Sequence, residues 1–222
     1  MTLARILEAE VMDTPEEASD YDSMDHSQVN RAFVDDLLAI ADNATDILDL
    51  GTGTALIPIE LCQRLESGRV MAIDLSIHML ELARYNIEVV GLNERIQLGH
   101  VDGKQLPYDD EMFDAVISNS IIHHIPEPLT VLREAVRVAT PGGVLFIRDL
   151  MRPPSDADVC RLLETHAGQA NQHQQQMFDD SLRAALDLDE IRDLVEQLGF
   201  PRETVQATSD RHWTWVGRQG SE

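Results

Sequence analysis

Two glycines and an aspartate have the types and spacing of a nucleoside-binding site. Gly51 and Gly53 stand in "LDLGTGTA", where a short apolar run gives way to a second run with helical spacing. Glycine lets the backbone turn sharply and approach a ligand with no side chain in the way. Asp74 ends the next apolar run, where a carboxylate can accept hydrogen bonds from both hydroxyls of a ribose. The alternative role for Asp74 is a helix cap shared with Ser76.

The spacing of the glycines argues against a dinucleotide as the ligand. A dinucleotide-binding turn has the pattern G-x-G-x-x-G, whose third glycine admits the pyrophosphate. Leu56 occupies that third position here, and its bulk argues against a nicotinamide-dependent oxidoreductase. The free N–H groups at the start of the following helix suit an anionic or carbonyl-bearing group.

Asn119, His123 and His124 are the candidates for catalysis. Asn119 ends an apolar run, and the two histidines follow four and five residues later. A neutral imidazole is a suitable base near neutral pH, but a structural histidine bonded to a loop carbonyl is an equal alternative. As metal ligands the adjacent pair is poor, because neighbouring side chains diverge and the sequence offers no third ligand nearby. No metal site is therefore predicted.

The candidate residues follow short apolar runs that alternate with helical patterns. Strand-like runs cover 45–50, 69–74, 95–100, 113–119, 143–150, 203–210 and 211–219, and helical patterns cover 28–41, 55–65, 76–91, 128–143 and 186–200. Thr54 can cap the helix over 55–65. This order predicts an α/β fold with a doubly wound, mostly parallel sheet of seven strands and helices on both faces. A C-terminal hairpin gives it an antiparallel strand at one edge. Ligands of such sheets bind beyond the carboxyl ends of the strands, where the candidates fall.

Charge and cysteine usage restrict the partners. A net charge of −23 repels phosphate backbones and anionic lipids, so nucleic acid and membranes are disfavoured. No apolar run approaches the roughly 20 residues of a membrane span, and the acidic N-terminus does not resemble a secretory signal. Cys62 and Cys160 lack metal-ligand spacing and are expected to be buried thiols in a reducing compartment. We expect a cytoplasmic monomer or homodimer.

The run "DLGTGTA", from Asp49 to Ala55, resembles motif I of the class I S-adenosylmethionine-dependent methyltransferases, an acid-x-G-x-G-x-G pattern. Ala55 stands where the last glycine is usual, and alanine is the next smallest side chain. "VDGKQLPYDDEMFDAVISN" is similar to the family's third and fourth strand region, and "HHIPEPLTVLREAVRVATPGGVLFIRD" to the helix and strand that follow. The resemblance covers about residues 28–150. It implies a Rossmann-like fold and the small-molecule type, similar to quinone-biosynthesis methyltransferases.

The resemblance implies S-adenosylmethionine as the cofactor. The glycine turn would hold its methionine part, Asp74 its ribose and Asp102 its adenine amino group. Leu75 and Met79 could pack on the adenine ring, although as apolar residues of a helix they could equally belong to the core. The predicted cofactor-binding residues are Asp49, Gly51, Thr52, Gly53, Asp74, Leu75, Met79, Asp102, Gly103, Asn119 and Tyr21.

Two segments of the single predicted domain, 1–222, lie outside the alternation. In similar enzymes the segment before the first sheet helix folds over the cofactor, so residues 1–27 are a lid-like segment with Tyr21, Met24 and His26 as candidates. The alternative is a loosely packed acidic leader. Residues 152–186 are a helical insertion that is expected to form a wall of the substrate pocket.

The predicted reaction is methyl transfer to O, N or C of a small molecule, with His123, His124 and Asn119 as catalytic candidates. The run "NSII" differs from the Asn/Asp-Pro-Pro-aromatic tetrad of family members that methylate amino groups of bases or glutamine. Arg148 and Arg152, near the end of the fifth strand, could attract an anionic substrate, but pairing with protein carboxylates is favoured. The alternative function is a catalytically silent sensor or scaffold that binds S-adenosylmethionine or S-adenosylhomocysteine.

Overall fold

The computed structural model describes residues 3–9, 11 and 14–220. Its α-helices are Pro15–Ser23 (α1), Ser27–Ala41 (α2), Leu56–Arg64 (α3), Ile77–Val90 (α4), Pro128–Val138 (α5), Asp156–Ala167 (α6), Gln172–Ala184 (α7) and Leu188–Gln197 (α8). Its strands are Asp46–Leu50 (β1), Arg69–Asp74 (β2), Ile96–His100 (β3), Phe113–Asn119 (β4), Ala139–Leu150 (β5), Val205–Ala207 (β6) and His212–Arg218 (β7). Short 3-10 helices cover Ile122–His124 and Arg202–Thr204. Each predicted strand and helix is present; β2 and β4 have the predicted ends, and the ends of the other elements are shifted.

The strands form one seven-stranded sheet in the order β3-β2-β1-β4-β5-β7-β6. β1 pairs in parallel with β2 and β4, and β2 pairs in parallel with β3. β6 and β7 pair antiparallel, with β6 outermost. The predicted α/β, Rossmann-like fold with an antiparallel C-terminal hairpin at one edge is confirmed.

The strand register brings the candidate residues to one edge of the sheet. β1 ends at Leu50, level with the penultimate residues of β2 and β4. The residues that come next, Gly51, Asp74 and Asn119, therefore lie side by side. Asp74 in turn pairs with His100, the last residue of β3. The glycine turn, the acid and the asparagine thus meet at the carboxyl ends of neighbouring strands, as a ligand site of this fold requires.

Within the described residues, contacts divide the chain into two compact units. The glycine-turn unit comprises residues 11, 14–119, 130–147 and 216–220, and the histidine unit comprises residues 3–9, 120–129 and 148–215. The first has a core of side chains from the helices and strands around the glycine turn, including Phe33, Leu37, Ile47, Val70, Ala83 and Phe146. The second has a smaller core made by β5, α6 and α7, including Leu150, Val159, Leu162 and Leu182.

Phe33 of α2 is a central residue of the larger core. Its side chain is completely buried and meets the ring of Phe146 edge-on, with the centroids 4.8 Å apart. We expect Phe33→Ala to lower the free energy of unfolding by about 3–5 kcal/mol, because the cavity removes both transfer free energy and packing contacts. Urea unfolding measures this loss, and Phe33→Leu is expected to lose less. A loss below about 1 kcal/mol for Phe33→Ala would contradict this placement.

Two local expectations about helix ends and strand ends are wrong. Thr54 does not cap α3, because Ala55 occupies the N-cap position and makes no side-chain capping bond. β5 begins at Ala139, four residues before the predicted start. The N–H of Gly142 donates to the carbonyl of Gln219 at 2.8 Å, so the start of β5 is paired with a segment that is distant in sequence. Local patterns do not reveal such a pairing.

Both cysteines are free thiols, but only Cys62 is buried. α6 turns Val159 and Leu162 towards the core, which leaves Cys160 exposed on another side of the helix. The expectation of two buried thiols is therefore wrong for Cys160. Within the described ranges, none of the helices has both the length and the hydropathy needed to cross a bilayer.

Candidate functional site

The glycine turn has a backbone that favours small residues. Gly51 and Gly53 have positive φ angles of 68° and 55°. Glycine adopts this region without steric cost, whereas Ala55, at φ 63°, carries a cost of roughly 1–2 kcal/mol. The N–H of Thr52 donates to the carbonyl of Ile73 at 2.8 Å, which anchors the turn to β2. The turn is therefore held firmly against the end of the neighbouring strand.

Asp74 is bonded to the backbone on both sides. Its Oδ2 accepts from the N–H of Gly53 and its Oδ1 from the N–H of Ser76, both at 2.8 Å. Ser76 itself caps α4 by accepting from the N–H of Met79 at 3.3 Å. The capping role considered for Asp74 is thus present. Each carboxylate oxygen has a further lone pair, so the same group can also accept a ribose hydroxyl.

Asp49 lies deeper, beside Asp74. Its side chain is buried, and burial together with the charge of Asp74 raises the pKa of Asp49 to about 7. Burial also raises the pKa of Asp74, although its backbone hydrogen bonds oppose the rise. Neither carboxylate has an ion pair among the described residues. Two carboxyl groups in one place without a protein cation favour a positively charged ligand.

A small cavity opens beside the glycine turn. It is lined by Tyr21, Asn30, Asp49, Gly51, Thr52, Thr54, Leu56, Ile57 and Asn119. Its volume is about 20 Å³. The buried polar atoms of its lining that have no hydrogen-bond partner include Oγ1 of Thr54 and Oδ1 of Asn119. Because buried polar atoms are normally paired, these two are free for a ligand.

Tyr21 of α1 covers the glycine turn. A Cβ atom built on Gly53 would lie 3.6 Å from Cε1 of Tyr21. The Tyr21 ring stacks on His26 with centroids 4.4 Å apart. Burial, followed by the charges of Asp74 and Asp49, raises the pKa of Tyr21 to about 12, so the phenol stays neutral. Ligand pockets usually hold roughly 300–1,000 Å³, so a nucleoside fits this cavity only if Tyr21 moves aside.

The residues assigned to the adenine lie outside this cavity. Asp102 accepts from the N–H of Lys104 at 2.9 Å and pairs with its ammonium group at 3.0 Å. Burial alone would raise the pKa of Asp102, but these bonds from Lys104 lower it. Gly103, Leu75 and Met79 do not line the cavity, and Met79 is buried in the core whereas Leu75 is partly exposed. Their contact with adenine stays a prediction.

The raised pKa of Asp49 has a consequence for stability. Between about pH 4 and pH 7 the unfolded chain ionises this carboxyl while the ligand-free folded chain keeps it protonated. The unfolded state then binds fewer protons, so this group lowers the free energy of unfolding as pH rises through that window. We expect Asp49→Asn to remove this term and gain stability relative to wild type by up to about 4 kcal/mol towards pH 7. Urea unfolding at several pH values measures this difference. If the free energies of unfolding of wild type and Asp49→Asn changed in parallel with pH, the result would contradict this prediction.

His123 is held by Asp149 in the histidine unit. Nδ1 of buried His123 donates to Oδ1 of Asp149 at 2.5 Å, and Oδ2 of Asp149 accepts from the N–H groups of Ile122 and His123. Burial alone would lower the pKa of His123, but the charges of Asp149 and Glu8 raise it. This pairing assigns the proton to Nδ1 and leaves Nε2 to exchange a proton.

Glu8 lies against both histidines. Its Oε1 is 3.2 Å from Nδ1 of His124 and 3.5 Å from Nε2 of His123. Burial and the charge of His123 lower the pKa of His124 to about 3, so this ring is neutral, whereas burial raises the pKa of Glu8. Arg5 fixes the segment that carries Glu8 by donating from Nη2 to the carbonyls of His123 and Ile125 at 3.0 Å each.

The two arginines near the end of β5 are engaged within the protein. Nη2 of Arg152 pairs with Glu190 at 2.7 Å and with Asp187 at 3.2 Å. Nε of Arg148 donates to Oγ1 of Thr214 at 2.9 Å. The expectation that Arg152 pairs with protein carboxylates is confirmed, and an anion-binding role for it is not supported.

The structure thus brings together part of the predicted set. Tyr21, Asp49, Gly51, Thr52 and Asn119 line the cavity, and Gly53 and Asp74 are bonded to each other in the same glycine-turn unit. Of the lid candidates, Met24 and His26 do not line it. Four residues of these sites were not predicted as site residues from the sequence: Asn30, Thr54, Asp149 and Glu8. An acid near the end of the fifth strand was a usable signal for Asp149, but nothing in the acidic leader singled out Glu8.

Comparisons with known proteins find similarity to methyltransferases. A family model described as a methyltransferase domain matches residues 48–147. Methyltransferase GfsG of Streptomyces halstedii is 30% identical over 179 residues, which are 78% of this chain and 64% of that protein. A demethylmenaquinone methyltransferase of Bacillus cereus is 31% identical over 153 residues, 66% of this chain and 64% of that protein. The chain spans less than two thirds of the length of either relative.

A solved structure has the same fold. The SAM-dependent methyltransferase from Aquifex aeolicus superposes with a TM-score of 0.66 over 93% of this chain and 98% of that one. The two sequences are 18% identical. At that identity the likeness shows the fold alone.

Proposed function

We propose that this chain is a class I S-adenosylmethionine-dependent methyltransferase that transfers a methyl group to O, N or C of a small molecule. The observation that supports this most is the pair Asp49 and Asp74, two carboxyl groups at the glycine turn that form no ion pair with an arginine or lysine among the described residues. When bound, S-adenosylmethionine supplies a methyl group on a positively charged sulfur, and its methionine part carries an ammonium group. Opposite charges would therefore meet in this pocket.

Residues of the glycine-turn unit would bind the cofactor. Asp74 would accept from the ribose hydroxyls with the lone pairs that Gly53 and Ser76 leave free. Thr54 and Asn119 would offer their unpartnered oxygens to the amino-acid end of the cofactor. Tyr21 would swing away to admit the nucleoside and then cover it, which makes α1 the lid. Closing a pocket in this way excludes water from the reacting groups.

We infer that His123 takes the proton that an O–H or N–H acceptor must lose. Its Nε2 is the open nitrogen, and Asp149 holds the ring and its tautomer through Nδ1. Because the charges of Asp149 and Glu8 raise the pKa of His123, activity should increase with pH as the ring loses its proton. His124 is neutral, since its pKa is lowered to about 3, and is a poor base.

The acceptor is proposed to be a neutral or cationic small molecule. The net charge of −23 opposes anions, and the arginine that could have attracted one, Arg152, is paired with Asp187 and Glu190. Nucleic acid and lipid surfaces are disfavoured as partners for the same reason. Free cysteines suit a reducing compartment, and on that ground we place the protein in the cytoplasm, as a monomer or homodimer.

Label transfer tests this proposal. The protein is incubated with S-adenosylmethionine labelled in its methyl group and with an ultrafiltered metabolite extract, and label is sought in the small-molecule fraction. We expect labelled product with wild type, and much less with Asp74→Ala when the cofactor concentration is near the wild-type Kd. Tight binding of S-adenosylhomocysteine with no label transfer would instead favour the sensor or scaffold alternative.

A further inference from the structure

Three side chains of the histidine unit converge on one point. Oε1 of Glu8, Nε2 of His123 and Nδ1 of His124 all lie within 4.8 Å of one another. We propose that these three groups form a binding site for a divalent transition-metal ion, with Asp149 positioning His123. The adjacent histidines lacked a third ligand in the sequence, and the fold supplies it from a residue 115 positions upstream.

Two of the three converging atoms have no hydrogen-bond partner. Oε1 of Glu8 and Nδ1 of His124 are buried, and neither has a hydrogen-bond partner although they are 3.2 Å apart. Their arrangement does not have the angles of a hydrogen bond, so proximity alone does not satisfy them. Leaving two such buried atoms unpaired destabilises the folded state. A cation between them would satisfy both.

The distances match a metal coordination sphere. Tetrahedral coordination with ligands at about 2.0–2.1 Å places neighbouring ligand atoms roughly 3.3–3.4 Å apart. Glu8 Oε1 lies 3.2 Å from the His124 nitrogen and 3.5 Å from the His123 nitrogen, on either side of that value. Two imidazoles and one carboxylate suit Zn²⁺, Co²⁺ or Fe²⁺ and leave a coordination position open. Mg²⁺ and Ca²⁺, which prefer oxygen ligands, fit less well.

Supporting groups hold the proposed ligands in place. Asp149 accepts from Nδ1 of His123 at 2.5 Å, which turns the unprotonated Nε2 towards Glu8. A carboxylate behind a histidine is the usual outer partner of a metal-binding imidazole. Arg5 ties the backbone of the Glu8 segment to the 3-10 helix that carries both histidines, and its Nε also donates to the carbonyl of Ala184. The site is therefore largely formed before any ion arrives.

A bound ion would compete with the proton for Nε2 of His123. Zn²⁺ would then block the base that we propose for methyl transfer, and chelation would release it. The metal site itself does not rest on the proposed function, because its ligands and its geometry are independent of the cofactor pocket. Its test therefore measures binding without any methyl transfer.

Cobalt provides a spectroscopic test. The full-length protein is stripped with a chelator and titrated with Co²⁺, and the visible ligand-field absorption of the bound ion is recorded; Zn²⁺ affinity is measured by competition with a coloured chelator. We expect one Co²⁺ per chain with a low-coordinate spectrum that Zn²⁺ displaces. Asp149→Asn should weaken Zn²⁺ binding by about 10–100-fold, as loss of an outer partner does. Glu8→Gln and His124→Asn should weaken it further.

His166→Gln is the matched control. His166 also pairs with a carboxylate, Asp210, at 2.8 Å, but it is not a member of this cluster. The control should bind Co²⁺ as wild type does. Absence of a low-coordinate Co²⁺ spectrum in wild type overturns the proposal, as does equal Zn²⁺ affinity in wild type, Glu8→Gln and His124→Asn. If either Glu8→Gln or His124→Asn fails to fold, the proposal is tested by the wild-type Co²⁺ spectrum and by the Zn²⁺ affinity of the variant that folds.

Discussion

Replacing His123 by alanine is expected to lower kcat by about 10²- to 10⁴-fold, the usual contribution of a positioned general base. The imidazole is held at Nδ1 by Asp149 and has only Nε2 available for a proton. Without it, no described group of the histidine unit offers a nitrogen oriented by a buried carboxylate. Steady-state rates with the acceptor found by label transfer measure the loss, and cofactor affinity should stay unchanged because the pocket belongs to the other unit.

The pH profile separates a base from a structural histidine. In wild type the rate should rise with pH through the raised pKa of His123. Asp149→Asn removes a negative charge that favours the imidazolium, so the rising limb should move to lower pH while the maximal rate falls. A His123→Ala enzyme that keeps kcat within a few-fold of wild type, with an unchanged profile, would assign His123 a structural role.

Asp74→Ala is expected to weaken binding of S-adenosylhomocysteine by about 1–3 kcal/mol, roughly 5- to 150-fold in Kd. The carboxylate would lose its bonds to the ribose, and the N–H groups of Gly53 and Ser76 would lose their acceptor. Isothermal titration calorimetry measures the change. Asp46→Ala is the control, because Asp46 lies at the opposite end of β1, in an exposed ion pair with Arg69. It should leave the affinity unaltered.

The positive charge on the cofactor sulfur predicts a difference in how the variants bind two ligands. The sulfur of S-adenosylmethionine is positive and that of S-adenosylhomocysteine is neutral, so Asp74→Asn and Asp49→Asn should cost more affinity for the former. Equal losses for both ligands would mean that the two carboxylates recognise shape and hydrogen bonds alone. Unchanged affinity in Asp74→Ala would remove Asp74 from the site altogether.

The sheet and the glycine turn could be predicted because their signals are local. The apolar runs predicted to form β1, β2 and β4 are strands in the structure, and their ends lie within one residue of the predicted ends. Gly51, Gly53 and Asp74 end such runs, and parallel pairing then brings them together. The early start of β5 could not be predicted, because it depends on pairing between Gly142 and Gln219, which are distant in sequence.

The surroundings of the histidines were hidden for the same physical reason. His123 and His124 were visible as chemistry-bearing residues, but their partners come from remote parts of the chain. Asp149 lies 26 residues away, and Glu8 comes from an acidic leader with many similar carboxylates. Only the fold selects one of them. The orphaned Thr54 hydroxyl was likewise taken for a helix cap, because the left-handed conformation of Ala55 cannot be read from its side chain.

The most direct measurement is a crystal structure of the protein grown with S-adenosylhomocysteine. We expect the ribose hydroxyls within hydrogen-bonding distance of Asp74, the amino-acid end against the turn from Gly51 to Gly53, and Tyr21 displaced from its present place over Gly53. A nucleoside bound elsewhere, or a turn still covered by Tyr21 at saturating ligand, would contradict it.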